Sequence, residues 1–226
     1  MVAYSAVTRP LQPFMTYTLI LLNTTIFILQ TMYFPLTYLF AMYPIQIVTG
    51  QNLHTLITST FLHADFFHLL INMYFLYIFG SIVEREMHPL TYLLLYTLAG
   101  IIGGLGHILI IFTISLPLDP LGPLIPTIGA SGAIFGIMAA YAYLLPRRPV
   151  GVYGATRTMG AWNLIVFYFI IEVISIFISI GSGVAHGAHV FGFVGGYLFA
   201  LLYRNVRLQL NRRKPGAEYD PYEYYV

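Results

Sequence analysis

Apolar residues run through this chain in six nearly unbroken stretches, at about 14–33, 68–83, 90–112, 131–145, 162–180 and 185–203. Runs of roughly 15 to 23 residues are long enough to cross a hydrocarbon core as helix, so the pattern predicts an all-α, polytopic bundle of six transmembrane helices. The first run can itself span, and no cleavable signal peptide is expected before it. The connecting segments differ in kind. Residues 34–67 are long and rich in aromatic and apolar side chains ("FPLTYLFAMYPIQIVTG"), as in a partly buried or interfacial loop. Residues 117–130 ("PLDPLGPLIPTIGA") hold four prolines and cannot form a regular helix. No internal repeat is visible.

Composition supports the same class. The chain is 58% hydrophobic and 8% charged, against about 25% charged in a soluble domain. Cysteine is absent, which removes disulfides, thiolate catalysis and thiolate zinc sites. A net charge of +2 gives no reason to expect a nucleic-acid partner. The placement of the charges is more informative. Arg9, Arg85, Arg147, Arg148, Arg157, Arg204, Arg207, Arg212, Arg213 and Lys214 all fall on one side of a six-span topology, and the opposite segments (34–67, 113–130, 181–184) hold no Lys or Arg. By the positive-inside rule both termini are cytoplasmic. Three sections follow: a cytoplasmic N-terminal segment (1–13), a six-span core (14–204), and a cytoplasmic basic and tyrosine-rich tail (205–226).

Those arginines also act as a depth gauge. The fourth run, 131–145, is about 22 Å of helix against a core of about 30 Å. With Pro146, Arg147 and Arg148 at its inner end, Ser131 should lie roughly 8 Å below the outer surface, beside a water-filled pocket. His189 is 15 residues before Arg204, Ser131 is 16 before Arg147, and His68 and Asn72 are 17 and 13 before Arg85. The second, fourth and sixth spans all enter from outside, so these four polar residues share one layer. His68 and Asn72, four apart, also share a helix face. Gly132 and Gly136 on the fourth span, and Gly192 and Gly196 on the sixth, are spaced for close backbone approach in lipid, which would bring Ser131 to His189.

The residue types at this depth point to acyl transfer. A serine hydroxyl becomes nucleophilic when a neutral imidazole takes its proton. The oxyanion that forms needs donors, and Ser131 begins a helix, where backbone N–H groups are unpaired. His68 and Asn72 could add side-chain donors. No carboxylate lies at this depth on the second, fourth or sixth span, so a Ser131–His189 dyad is expected. Glu172, midway along the fifth run, reads as a protonated carboxyl bonded to a neighbouring helix, with a catalytic role as the alternative. Taken singly, Ser131 is also an ordinary packing residue, His68 and His189 structural histidines, and Asn72 interhelical glue. A metal-dependent membrane enzyme or transporter built on His63, His68, His186 and His189 is a further alternative; it leaves Ser131 and Asn72 unexplained.

The motifs resemble the rhomboid intramembrane serine proteases over roughly residues 54–200. "GASG" resembles the family's GxSG, which places the nucleophile on Ser131. "AHVFGFVGG" resembles AHxxGxxxG, which places the base on His189 and packing glycines on Gly192 and Gly196. "HLLIN" resembles HxxxN, implying that His68 and Asn72 join the Ser131 amide as oxyanion donors. "GSIVER" resembles a short Glu-Arg turn, making Glu84 and Arg85 structural. The family's Trp-Arg pair is replaced by His54-Thr55, so the first loop is where geometry should differ. Phe135 stands where many members have tyrosine, and it can stack on the His189 ring.

The resemblance implies an endopeptidase that cuts transmembrane protein substrates near their outer end, within the lipid bilayer, with no cofactor and no metal. A prokaryotic plasma membrane is the expected location. The fifth span is the expected lateral gate beside the second, with Phe167 and Phe169 as its bulky candidates. A non-catalytic rhomboid-like protein that binds membrane segments is the remaining alternative, although such proteins usually lack the serine or the histidine. The topology has a direct check. Cysteines introduced at Asp119 and Gly216, on a background without cysteine, should label from opposite sides of the membrane. Labelling of both from outside refutes the six-span arrangement.

Overall fold

The computed structural model describes residues 12–150, 159–181 and 183–212. The N-terminal residues up to 11, including Arg9, lie outside the described residues, as do Arg157 and the tail from 213. Six principal helices take the places of the six apolar runs: Phe14–Met32, Phe66–Glu86, Pro89–Ser115, Ser131–Leu144, Ala161–Ile178 and His186–Arg212. They are called the first to sixth spans below. The first, second, third and fifth are long and apolar enough to cross a membrane. The fourth has only 14 residues, and the sixth continues past its apolar part into a basic C-terminal end. The protein is a polytopic membrane helical bundle; the extended pairing among the described residues is two residues long, Pro149–Val150 with Met159–Gly160.

Local chemistry sets where these helices begin. Asp65 caps the second span, its Oδ1 accepting the His68 backbone N–H at 2.9 Å. Pro89 opens the third span, where its missing N–H has no consequence, and the preceding His88 accepts the Leu90 N–H through Nδ1 at 3.3 Å. The first span is held from a distance. Glu84, almost fully buried, accepts the N–H groups of Met15 and Thr16 and the Thr16 hydroxyl, each at 2.7 Å. A carboxylate at a helix N-terminus satisfies donors that have no acceptor within the helix. Glu84 is thus structural, as the Glu-Arg turn implied; Arg85 beside it is exposed.

The first loop is a small structure of its own, with helices Pro35–Phe40, Pro44–Val48 and Thr55–Thr58. Gln30 of the first span clips its end: Gln30 Oε1 accepts the His63 N–H at 3.0 Å and Gln30 Nε2 donates to the His63 carbonyl at 3.3 Å. Where the family's Trp-Arg pair is missing, the His54 ring meets Phe40 edge-on at 6.3 Å and the buried Thr55 hydroxyl donates to the Asn52 carbonyl at 2.8 Å. Phe34, Tyr38 and Leu39 stay exposed, as an interfacial loop requires.

The fourth span is the hub. It is buried almost without interruption from Gly132 to Ala142, apart from Phe135, as a helix apolar on all sides should be. Against it lies the sixth span, backbone to backbone. A Cβ placed on Gly192 would run into the Gly132 carbonyl, and one on Gly196 into the Gly136 backbone. Gly196→Ala should therefore force the two helices apart and lower stability by about 1–3 kcal/mol. Gly104→Ala is the comparison: its Cβ would meet side-chain ends, the Met42 sulfur at 3.2 Å, a Leu56 methyl at 3.6 Å and the Met42 methyl at 3.8 Å. Thermal unfolding of both proteins checks this, and equal midpoints would contradict the seam.

Candidate active site

Ser131 is the first residue of the fourth span, at a depth set by the segment before it. Backbone bonds between Met42 and Thr127 run in both directions, at 3.2 and 2.8 Å, and the Gly129 N–H donates to the Ser59 carbonyl at 3.0 Å. Gly129 then turns the chain with φ +128°, a conformation suited to glycine. Any side chain there would also press on His68, since a Cβ would lie 2.9 Å from its Cε1 and 3.0 Å from its Nε2.

His189 lies on the first turn of the sixth span, three residues before Gly192. Its Nε2 is 2.8 Å from Ser131 Oγ. The Phe135 ring lies almost flat on the imidazole, with centroids 4.5 Å apart and planes 9° apart. That stacking was expected from sequence. It fixes the plane in which the ring can move, and the seam between the glycines fixes the distance.

The expectation that no carboxylate reaches this layer is corrected by the structure. Glu172 arrives from the fifth span, the one span left out of that comparison. Its Oε2 is 2.9 Å from His189 Nδ1 and 2.6 Å from His186 Nδ1. Glu172 is bonded to a neighbouring helix, as anticipated, but the partner is the histidine that faces Ser131. A signal was present: Glu172 is 15 residues from Arg157, the same separation as His189 from Arg204.

His68 and Asn72 face the same space from the second span. His68 Nδ1 accepts the Ala64 N–H at 3.3 Å, which leaves Nε2 as the protonated nitrogen of a neutral ring. The contacts around Gly129 place that Nε2 beside the Ser131 turn. Asn72 is buried and spends one amide hydrogen on the His68 carbonyl at 2.9 Å, leaving the other free to donate. Behind them His63 packs edge-on against His68 at 5.2 Å, with neither ring nitrogen bonded among the described residues. Burial, and secondly the nearby His68, push the His63 imidazole down to about 4, so it supports its neighbour as an uncharged ring.

A cavity of about 800 Å³ joins these groups. Its lining includes His68, Asn72, Ser131 and His189, with Ile71 and Phe75 of the second span facing Tyr168 and Ile176 of the fifth. The gate candidates read from sequence are therefore revised. Phe167 points outward and is 57% exposed, while Phe169 packs on Phe193 of the sixth span at 4.5 Å. Among the described residues, the group that could hold a metal is not the proposed histidine quartet: Glu172, His186 and His189 bring one ligand atom each within 4.8 Å of one another. His63 and His68 pair with each other, ring to ring, at 5.2 Å.

The arrangement gathers a serine hydroxyl, an imidazole, a helix N-terminus and two side chains with hydrogen-bond donors around one accessible volume. The Rhomboid domain profile matches residues 50–206. "Putative rhomboid protease YdcA" of Bacillus subtilis (strain 168) is 33% identical over 162 residues, covering 69% of this chain and 73% of that one. "Rhomboid protease GluP" of the same organism is 32% identical over 151 residues, or 64% of this chain and 25% of that one. "RHOMBOID-like protein 12, mitochondrial" of Arabidopsis thaliana is 38% identical over 104 residues, 42% of this chain and 31% of that one. This chain belongs to the rhomboid family and is an integral, multi-pass membrane protein.

Proposed function

We propose that this chain is an intramembrane serine endopeptidase acting through Ser131 and His189. The carrying observation is the 2.8 Å approach of His189 Nε2 to Ser131 Oγ at the wall of the cavity. The names of the Bacillus relatives support the protease class. In this reading the catalytic core is 14–204, crosses the membrane six times with both termini cytoplasmic, and sits in a prokaryotic plasma membrane.

The chemistry follows from the geometry. Ser131 Oγ attacks the carbonyl carbon of the scissile bond as its proton passes to His189 Nε2, and the carbonyl electron pair moves onto oxygen. That oxyanion is met by the Ser131 N–H, His68 Nε2–H and the free Asn72 amide hydrogen. The C–N bond then breaks, the leaving nitrogen takes the proton from Nε2, and an acyl-serine remains. Water repeats the sequence, giving its proton to Nε2 and releasing Ser131 with the proton returned. A substrate helix has its own backbone bonds satisfied, so it must unwind near its outer end before a carbonyl reaches Ser131. The cavity's lining by the second and fifth spans supports lateral admission there.

A metal-dependent reading draws on the Glu172, His186 and His189 donor set. One experiment separates the two. A fluorophosphonate probe should label the wild-type protein with or without a chelator, and should not label Ser131→Ala. Ser131→Ala and His189→Ala should both lose cleavage of a transmembrane substrate while their thermal midpoints change little. Full cleavage by purified Ser131→Ala ends the serine reading.

The oxyanion assignment has its own signature. Asn72 has no basic or nucleophilic role, so Asn72→Ala should lower kcat by roughly 10- to 1000-fold and leave KM within a few-fold. His68→Ala should behave alike, and the double variant should lose less than the product of the two if both donors serve one oxygen. If Asn72 only ties helices together, the melting temperature falls while kcat per folded molecule stays normal, and the assignment is wrong.

A further inference from the structure

Glu172 is hydrogen-bonded to the base, and the serine–histidine reading gives it no task. Its Oε2 lies 2.9 Å from His189 Nδ1, and His189 turns its other nitrogen to Ser131 Oγ at 2.8 Å. The fourth, sixth and fifth spans thus supply Ser131, His189 and Glu172 to one continuous line of hydrogen bonds. His186 Nδ1 meets the same carboxylate oxygen at 2.6 Å.

The direction of these bonds decides whether His189 can act. A neutral imidazole carries one proton, and a carboxylate can only accept. With Glu172 ionised, both Nδ1 atoms must be donors, so His189 keeps a bare Nε2 facing the serine hydroxyl. Were Glu172 a protonated acid donating to His189 Nδ1, the imidazole proton would sit on Nε2 and block the base. Two ring nitrogens converging on a single oxygen fit two donors and one acceptor. The cavity lining holds no Lys or Arg among the described residues, so the two histidine Nδ1–H groups are the donors that meet Glu172 there. A buried carboxylate persists when it is paired and hydrogen-bonded, and here it also borders the accessible volume.

We propose that Glu172 is a positioning residue for His189, with His186 holding the carboxylate in place. It acts through the imidazole and touches no substrate atom. It fixes the tautomer with a bare Nε2 before attack. Once Nε2 has taken the Ser131 proton it faces an imidazolium, and it stabilises that charge without itself taking the proton. The proton passes on from Nε2 to the leaving nitrogen. This role rests on the serine–histidine reading and adds to it a requirement: the fifth span must be docked on the sixth for the base to be set.

Purified wild-type, Ser131→Ala, Glu172→Gln, Glu172→Asp and His186→Gln proteins are to be compared on one transmembrane substrate and with the fluorophosphonate probe. Glutamine nearly matches the shape but can donate to Nδ1 and hold the wrong tautomer. Glu172→Gln should lower kcat by about 100- to 10,000-fold with KM within a few-fold, the scale of the equivalent carboxylate-to-amide change in soluble triads. Glu172→Asp, which keeps the charge on a shorter arm, should recover at least about tenfold over Glu172→Gln, and His186→Gln should fall between wild type and Glu172→Gln. Nitrogen-15 NMR of labelled histidine should find the wild-type His189 proton on Nδ1. A kcat for folded Glu172→Gln within about threefold of wild type overturns the proposal. So does a wild-type His189 proton on Nε2, a measurement that does not depend on any variant folding. Full activity of Ser131→Ala in the same assay would instead bring down the serine reading.

Discussion

In lipid, water gives no drive to bury one apolar helix on another, and helices hold best where small residues let their backbones meet. Gly132 and Gly136 on the fourth span meet Gly192 and Gly196 on the sixth in this way. Ser131 stands one residue from the first pair and His189 three from the second, so the seam that joins the helices also fixes the serine hydroxyl against the imidazole. The third span shares it. A Cβ on Gly103 would lie 2.7 Å from the Ala188 carbonyl, and one on Gly106 would collide with Phe191. The third, fourth and sixth spans therefore form one close-packed unit, and a larger side chain along it would part the 2.8 Å contact between Ser131 and His189.

The chain leading into the fourth span is irregular backbone, which a membrane tolerates only when its polar groups find protein or water. Several of these groups have named partners. Thr127 pairs with Met42, Gly129 with Ser59, and the end of the first loop with Gln30. The first loop is thus more than a connection. It supplies the acceptor that holds the turn before Ser131, and it ends in His63 and Asp65, which support the ring and the backbone of His68. With these ties the loop keeps its place although His54 and Thr55 stand where the family carries tryptophan and arginine.

Much of this was legible in the sequence, because the bilayer supplies a ruler that soluble proteins lack. Basic residues mark one face, and counting helical rise from them put Ser131, His189, His68 and Asn72 in one layer without any knowledge of contacts. The glycine spacing said which spans could touch. Counting failed at Glu172 because the fifth span was judged by the cost of a buried acid and not by depth. Phe167 shows a separate limit, since depth can be counted there but rotation cannot. A helix that is apolar on every side carries no periodic signal for the direction in which each residue points. Gly129 raises a different limit: its motif was visible, but the positive φ and the nearness of His68 arise only once the loop is built.

The fifth span carries two demands on one face. Tyr168, Glu172 and Ile176 are four apart and share that face, and all three line the cavity. If Glu172 positions the base as proposed, the cavity wall that would meet a substrate is also the wall that holds His189. A span that swung wholly aside would draw the carboxylate off Nδ1 and free the imidazole to change tautomer. Burial does not mark one end of the span as the loose one: Ala161, Ile165 and Ile176 are buried along its length, and Phe167 and Phe177 are exposed. Under the proposed roles, admitting a substrate must keep the Glu172–His189 bond or remake it before attack.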